Sequence, residues 1–268
     1  MLILPMKLSE VFVLVAAGTA GGLFSTVVSI ASLVTYPVLL ALGVPPLSAN
    51  MTNTVSLVFT GAGSVASSGP ELTGERDRVL RLAVVTALGG MTGAAVLLVA
   101  PASTFTAIAP VLIGAASIIL LIQPRITGRA RSGHPATAPA GQRTAQVTDH
   151  RTARVAGLFC VAIYVGYFGA AAGVLLLVVL SMMTDESLIT VNAVKNAVSG
   201  MANALAATCF AVFGEVRWTF VAPLAAGFLL GGWIGPKIAR RVPAGPFRVV
   251  VSLCGIGLAV RLGITAYR

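Results

Sequence analysis

Few side chains in this sequence could do chemistry, and Lys195 stands out among them. It sits in Thr190-Val191-Asn192-Ala193-Val194-Lys195-Asn196-Ala197-Val198-Ser199, about two turns into an apolar run with no other basic residue so deep. An ionisable group inside hydrocarbon is costly and marks a functional site by default. Its long stem can also snorkel to the interface, and Asp185 and Glu186 mark a segment end nearby. Both readings of Lys195 stay open. Asn50, Asn53, Asn192 and Asn196 add amide donors within apolar runs. Buried amides must find partners, either the oxygens of an anion or a neighbouring helix. Asn53 and Asn196 are expected to face one another near the centre, whereas Asn203 reads as structural. Ser25, Thr26, Ser29 and Ser32 offer hydroxyls, which can also bond back to their own helix. A cation beside amides, hydroxyls and helix N-termini makes an anion site, with Asn53, Asn196, Lys195, Asn50, Asn192, Ser29 and Ser32 as candidate ligands.

The acids and histidines exclude other chemistry. Glu10, Glu71, Glu75, Asp77, Asp149, Asp185, Glu186 and Glu215 fall at segment ends or in connections, and His134 and His150 lie in the central connection. The usual intramembrane proton and cation carriers are therefore missing, as is the His/Asp constellation of a hydrolase. No phosphate-cradling Gly-Lys-Ser/Thr motif is present. Cys160, Cys209 and Cys254 are far apart, each in an apolar run, and form no metal or redox spacing. No enzyme activity, metal or cofactor is expected.

These residues must be positioned by membrane-spanning helices. Of 268 residues, 57% are hydrophobic and 10% charged, with mean hydropathy +0.95; soluble domains carry about a quarter charged residues. Ten apolar segments are predicted: 8–28, 29–43, 47–68, 79–100 and 103–122, then 153–172, 173–184, 187–213, 217–238 and 246–266. Segments 29–43 and 173–184 are short for a crossing. The stretch 123–152 is rich in Pro, Gly, Thr, Ala and Arg and reads as a flexible loop. Thus 1–122 is a first transmembrane repeat, 123–152 a basic cytoplasmic loop and 153–268 a second repeat.

Net charge is +10. Thirteen of the 18 basic residues fall in three connections: 69–81, 123–154 and 237–248. If every segment crosses, all three lie on one side, the cytoplasmic one, and both termini lie outside. The basicity is then topological, and nucleic acid is not an expected partner.

The halves share an order of events. Each has a Gly-rich first segment, a short second and a third with paired asparagines. Ser48-Ala49-Asn50-Met51-Thr52-Asn53-Thr54-Val55-Ser56 parallels Thr190 to Ser199 with one insertion. Five crossings per half would invert the second repeat, as in many secondary transporters with broken helices and a midplane site. The GxxxG spacings at Gly18/Gly22, Gly89/Gly93, Gly169/Gly173 and Gly227/Gly231 read as packing devices, with a homo-oligomer left open.

At Thr26-Val27-Val28, Leu33-Val34-Thr35-Tyr36-Pro37, Leu39 to Pro46, Ala49-Asn50-Met51-Thr52-Asn53-Thr54-Val55, Asn192-Ala193-Val194-Lys195-Asn196 and Gly231-Gly232-Trp233-Ile234-Gly235, the sequence resembles the TauE/SafE family of membrane transporters. It departs at Ser29-Ile30-Ala31-Ser32, where the family usually shows a glycine-rich turn. The resemblance implies two related helical repeats in the cell (inner) membrane and movement, by export, of small sulfur-containing anions such as sulfite or organosulfonates. The partners implied are a small anionic substrate and the lipid bilayer. The competing class is a non-transporting membrane scaffold or assembly protein, which predicts a dry cluster with every polar group paired.

Overall fold

The computed structural model describes residues 7–132, 143–184, 186–239 and 245–266. The described residues are helical throughout, with no strand. The helices are α1 (Leu8–Val28), α2 (Ala31–Ala41), α3 (Pro46–Ser67), the single turn α4 (Gly69–Leu72), α5 (Arg76–Val99), α6 (Ala102–Ser132), α7 (Arg143–Tyr167), α8 (Ala172–Ser181), α9 (Leu188–Phe213), α10 (Trp218–Ala239) and α11 (Gly245–Ala266). Each of the ten expected segments overlaps a helix, but segment 153–172 runs past the end of α7 at Tyr167 into the break before α8. Among the described residues, five stretches are long and apolar enough to cross a membrane: Leu8–Val28, Arg76–Val99, Ala102–Ile122, Leu188–Phe213 and Trp218–Ala239. The 11 residues of α2 and 10 of α8 rise only about 15–17 Å at 1.5 Å per residue, half a hydrocarbon core.

The central connection is shorter than expected. Helix α6 runs on to Ser132 and α7 begins at Arg143, so helix covers both ends of the stretch read as a loop. The apolar run ends near Ile122, but Ala, Arg and Gln keep good helix propensity beyond it. His134, Asp185, Arg240 and Arg241 lie outside the described residues.

Backbone conformation fixes two breaks. Helix α1 ends at Ser29, with φ 66° and ψ 39°. Between α7 and α8 the chain turns through Gly169 (φ 71°) and Ala171 (φ 53°). The left-handed region is open to glycine and disfavours other residues, so Ser29 and Ala171 need surrounding contacts to hold them.

Small residues set the packing. A Cβ on Gly18 or Gly22 would strike the α10 backbone, one on Gly227 or Gly231 the α1 backbone, and one on Gly93 the α7 backbone at Ile163 and Tyr167. Three of the four GxxxG pairs therefore do what the spacing predicted. The fourth differs: Gly169 forms the second break, and Gly173 lets the two breaks meet, because a Cβ there would lie 2.7 Å from Ser29 Cβ. At the centre α3 and α9 cross, with Gly61 against Gly200.

The packing pairs are α1 with α10 and α7 with α5; α3 with α10 and α9 with α5; α1 with α2 and α7 with α8; α2 with α3 and α8 with α9; α1 with α3 and α7 with α9; α6 with α8 and α11 with α2. Helices α3 with α9, and α6 with α11, pair across the halves. Tyr36, Phe105, Tyr167 and Phe168 join α2, α6 and the second break, with Phe168 5.7 Å from both Tyr36 and Phe105.

Candidate anion site at the two helix breaks

Helix α3 carries an unusual run of buried polar residues: Ser48 to Ser56 are buried without interruption. Along it Leu57, Thr60, Gly61 and Ser64 share one face at helical spacing, and on α9 Asn196, Ser199, Gly200 and Asn203 do the same. Those two faces, with the breaks, enclose a cavity of about 40 Å³. At about 10–15 Å³ per water, that is room for a few waters or one compact oxyanion. Ala31 of α2, and Ala172 and Gly173 of α8, also line it. These residues stand in the first turns of α2 and α8, so the positive ends of both short helices border this space.

Lys195 lies on the cavity wall with 2% of its surface exposed. Its stem does not run to the surface. Nζ donates to Ser29 Oγ at 2.6 Å and to Ser25 O, in the last turn of α1, at 3.3 Å. No carboxylate of the described residues pairs with it. The ammonium rests on the negative end of α1 and is the one full charge lining the cavity. Beside it, Asn196 Nδ2 is buried with no hydrogen-bond partner, as are Thr60 Oγ1 and Ser64 Oγ. A buried polar atom left unpaired is costly, and three around one cavity call for a ligand or water there.

The sequence-predicted residues divide. Lys195, Asn196, Ser29 and Ser32 line the cavity; Asn50, Asn53 and Asn192 do not. Asn50 Nδ2 donates to Tyr167 O at the end of α7, 3.0 Å. Asn192 Nδ2 donates to Thr26 O near the end of α1, 2.8 Å. Each amide thus covers a terminal carbonyl of the broken helix in the opposite half. Tyr164 does the same locally, its hydroxyl donating to Ala170 O at 2.8 Å. Asn53 is held behind Ser32, donating to its Oγ at 3.1 Å. Asn53 and Asn196 do not meet: Asn53 lies eight residues before the Gly61–Gly200 crossing and Asn196 four.

Sequence reasoning missed Thr60, Ser64 and Ser199, and gave Asn203 no part in a site it lines. The signal is a set of polar residues at helical spacing, Thr60 and Ser64 on α3 and Asn196, Ser199 and Asn203 on α9. It is weak because hydroxyls in apolar helices commonly bond back to their own backbone.

The family model for "Sulfite exporter TauE/SafE" matches residues 14–262. The chain belongs to the TauE/SafE family. A curated relative, "Probable membrane transporter protein ORF9" of Sinorhizobium sp, is 23% identical over 251 residues, covering 94% of this chain and 91% of the relative. No solved structure matches. As a TauE/SafE protein with several membrane-length helices, the chain is a multi-pass membrane transporter.

Proposed function

We propose that this protein is a secondary transporter of small sulfur-containing anions, sulfite-like or sulfonate-like, working by alternating access between two inverted repeats in the cell (inner) membrane. One observation carries the reading: a buried ammonium with no carboxylate partner, beside an unpaired amide and unpaired hydroxyls, around a cavity where two helices break. Every group there donates or can donate, which suits an anion. The N-terminal ends of α2 and α8 add positive potential.

The repeat is supported by the packing. Exchanging α1 with α7, α2 with α8, α3 with α9, α5 with α10 and α6 with α11 maps nearly every helix pair onto another, leaving aside α4 and one contact of α3 with α6. Asn50 and Asn192 follow the same exchange, each closing the broken helix of the other half. In our reading the basic connections face the cytoplasm, and export follows the family's description as sulfite exporters. A scaffold would leave its buried polar groups paired, which Asn196 is not.

The test is efflux of labelled sulfite, sulfate and a sulfonate from proteoliposomes. At least one anion is expected to leave faster than from empty vesicles, and Asn196→Ala is expected to slow it. Failure of all three overturns the transport reading in favour of a scaffold.

A further inference from the structure

Hydrogen bonds have direction, and around this cavity the directions agree. Lys195 can only donate, so Ser29 Oγ is its acceptor at 2.6 Å. The serine's own proton is then left to point elsewhere, and Ser29 lines the cavity. A second pair repeats the arrangement. Asn53 Nδ2 donates to Ser32 Oγ at 3.1 Å, and Thr35 Oγ1 donates to Asn53 Oδ1 at 2.5 Å. The shorter separation is an O–H···O length and the longer an N–H···O length, which sets the amide's orientation. Thr35 has one proton, and the nearer acceptor takes it in preference to Ala31 O at 3.1 Å. A third pair, longer, runs from Asn203 Nδ2 to Ser199 Oγ at 3.5 Å. Ser32 and Ser199 also line the cavity, and no other side-chain partner satisfies their protons.

Three serines therefore each accept one hydrogen bond from behind and keep their protons free in front. Asn196 Nδ2 adds amide protons without a partner, and the ammonium has one N–H beyond the two it uses. The site is rich in donors, and the hydroxyls of Thr60 and Ser64 that could receive a proton there are themselves donors to an anion.

Resting on the anion reading above, we infer that the site is selective for fully deprotonated oxyanions over anions that retain an O–H. Asn53 and Asn203 are positioning residues that set this selectivity through Ser32 and Ser199. Receiving a bound O–H would turn a hydroxyl such as that of Thr60 or Ser64 from donor to acceptor, so each retained proton costs the site a donor contact to the anion. Sulfate and hydrogenphosphate make the clean comparison, since both are tetrahedral dianions of similar size and differ by one proton. Charge, size and hydration then largely cancel.

The experiment is displacement of a labelled proton-free anion (sulfite, sulfate or methanesulfonate, whichever binds tightest) from the purified full-length protein in mildly alkaline buffer. Sulfate and phosphate serve as competitors. Wild type is expected to bind hydrogenphosphate about 10- to 100-fold more weakly than sulfate, the size of one mismatched buried hydrogen bond. Asn53→Asp keeps the shape but accepts from both Thr35 and Ser32, which turns the Ser32 oxygen into the cavity as an acceptor. It is expected to weaken both dianions and to shrink their ratio by about tenfold. A purely structural role would leave the ratio alone. Asn203→Asp repeats the test through Ser199 should Asn53→Asp fail to fold. Equal affinity of wild type for sulfate and hydrogenphosphate overturns the inference while leaving an anion site. An unchanged ratio in a folded aspartate variant overturns the assigned role of that asparagine. Binding of no anion at all overturns instead the anion reading on which this one rests.

Discussion

Replacing Lys195 with methionine separates function from stability. The side chain is 2% exposed and its ammonium makes two hydrogen bonds, neither to a carboxylate. Methionine is unbranched, of similar length and apolar, so it fills the same volume. Its oxygen partners lose little: Ser25 O already accepts from Ser29 N at 3.0 Å, and Ser29 Oγ borders the cavity, where water can reach it. Removing a buried charge that lacks an ionic partner relieves its desolvation cost, so unfolding should occur at the wild-type temperature or above it. Anion binding should behave oppositely. A hydrogen bond from a charged donor contributes about 1.5–3 kcal/mol, and about 1.4 kcal/mol is tenfold in affinity. The variant should therefore bind its anion roughly 10- to 150-fold more weakly. Thermal unfolding and displacement of labelled anion, run on the same detergent-purified sample, measure both. Affinity within twofold of wild type in a folded variant refutes Lys195 as a ligand. Unfolding at a much lower temperature refutes the claim that the charge is held for binding and not for the fold.

Four further substitutions test the frame of the bundle. Asn192→Leu and Asn50→Leu each uncover a helix-terminal carbonyl with no other partner, Thr26 O and Tyr167 O. Each should lower stability by about 1–3 kcal/mol, read from denaturant unfolding in micelles; a loss below a few tenths would mean water takes the amide's place. Gly231→Val drives a side chain into the α1 backbone at Thr19, Gly22 and Leu23. Backbone cannot rotate away, so the variant should lose its monodisperse peak on size exclusion. Gly257→Ala, with nothing within 4 Å of the added carbon, should be neutral or more stable by about 0.5–1 kcal/mol.

The site was legible in part, and the misses have a common cause. Lys195 was found because a charge in an apolar run is a signal that survives without neighbours. Asn50 and Asn192 were found as polar residues, but composition cannot say which way an amide points. Their actual partners, Tyr167 O and Thr26 O, lie 117 and 166 positions away in sequence. Ser29 was noted as a departure from a glycine-rich turn. It does adopt a left-handed conformation suited to glycine, and its hydroxyl meets Lys195 there.

The sequence by itself determined the helices, because apolar length and small-residue spacing are local properties of each segment. It determined which helices carry polar groups, and the paired order of events in the two halves. Only the tertiary structure decided which of those groups share a cavity. That choice depends on where α3 and α9 cross, and the crossing sits at Gly61 and Gly200. The crossing helps set the depth and facing of each polar residue along the two helices. It leaves Asn196 on the cavity with Lys195 and places Asn53 behind Ser32.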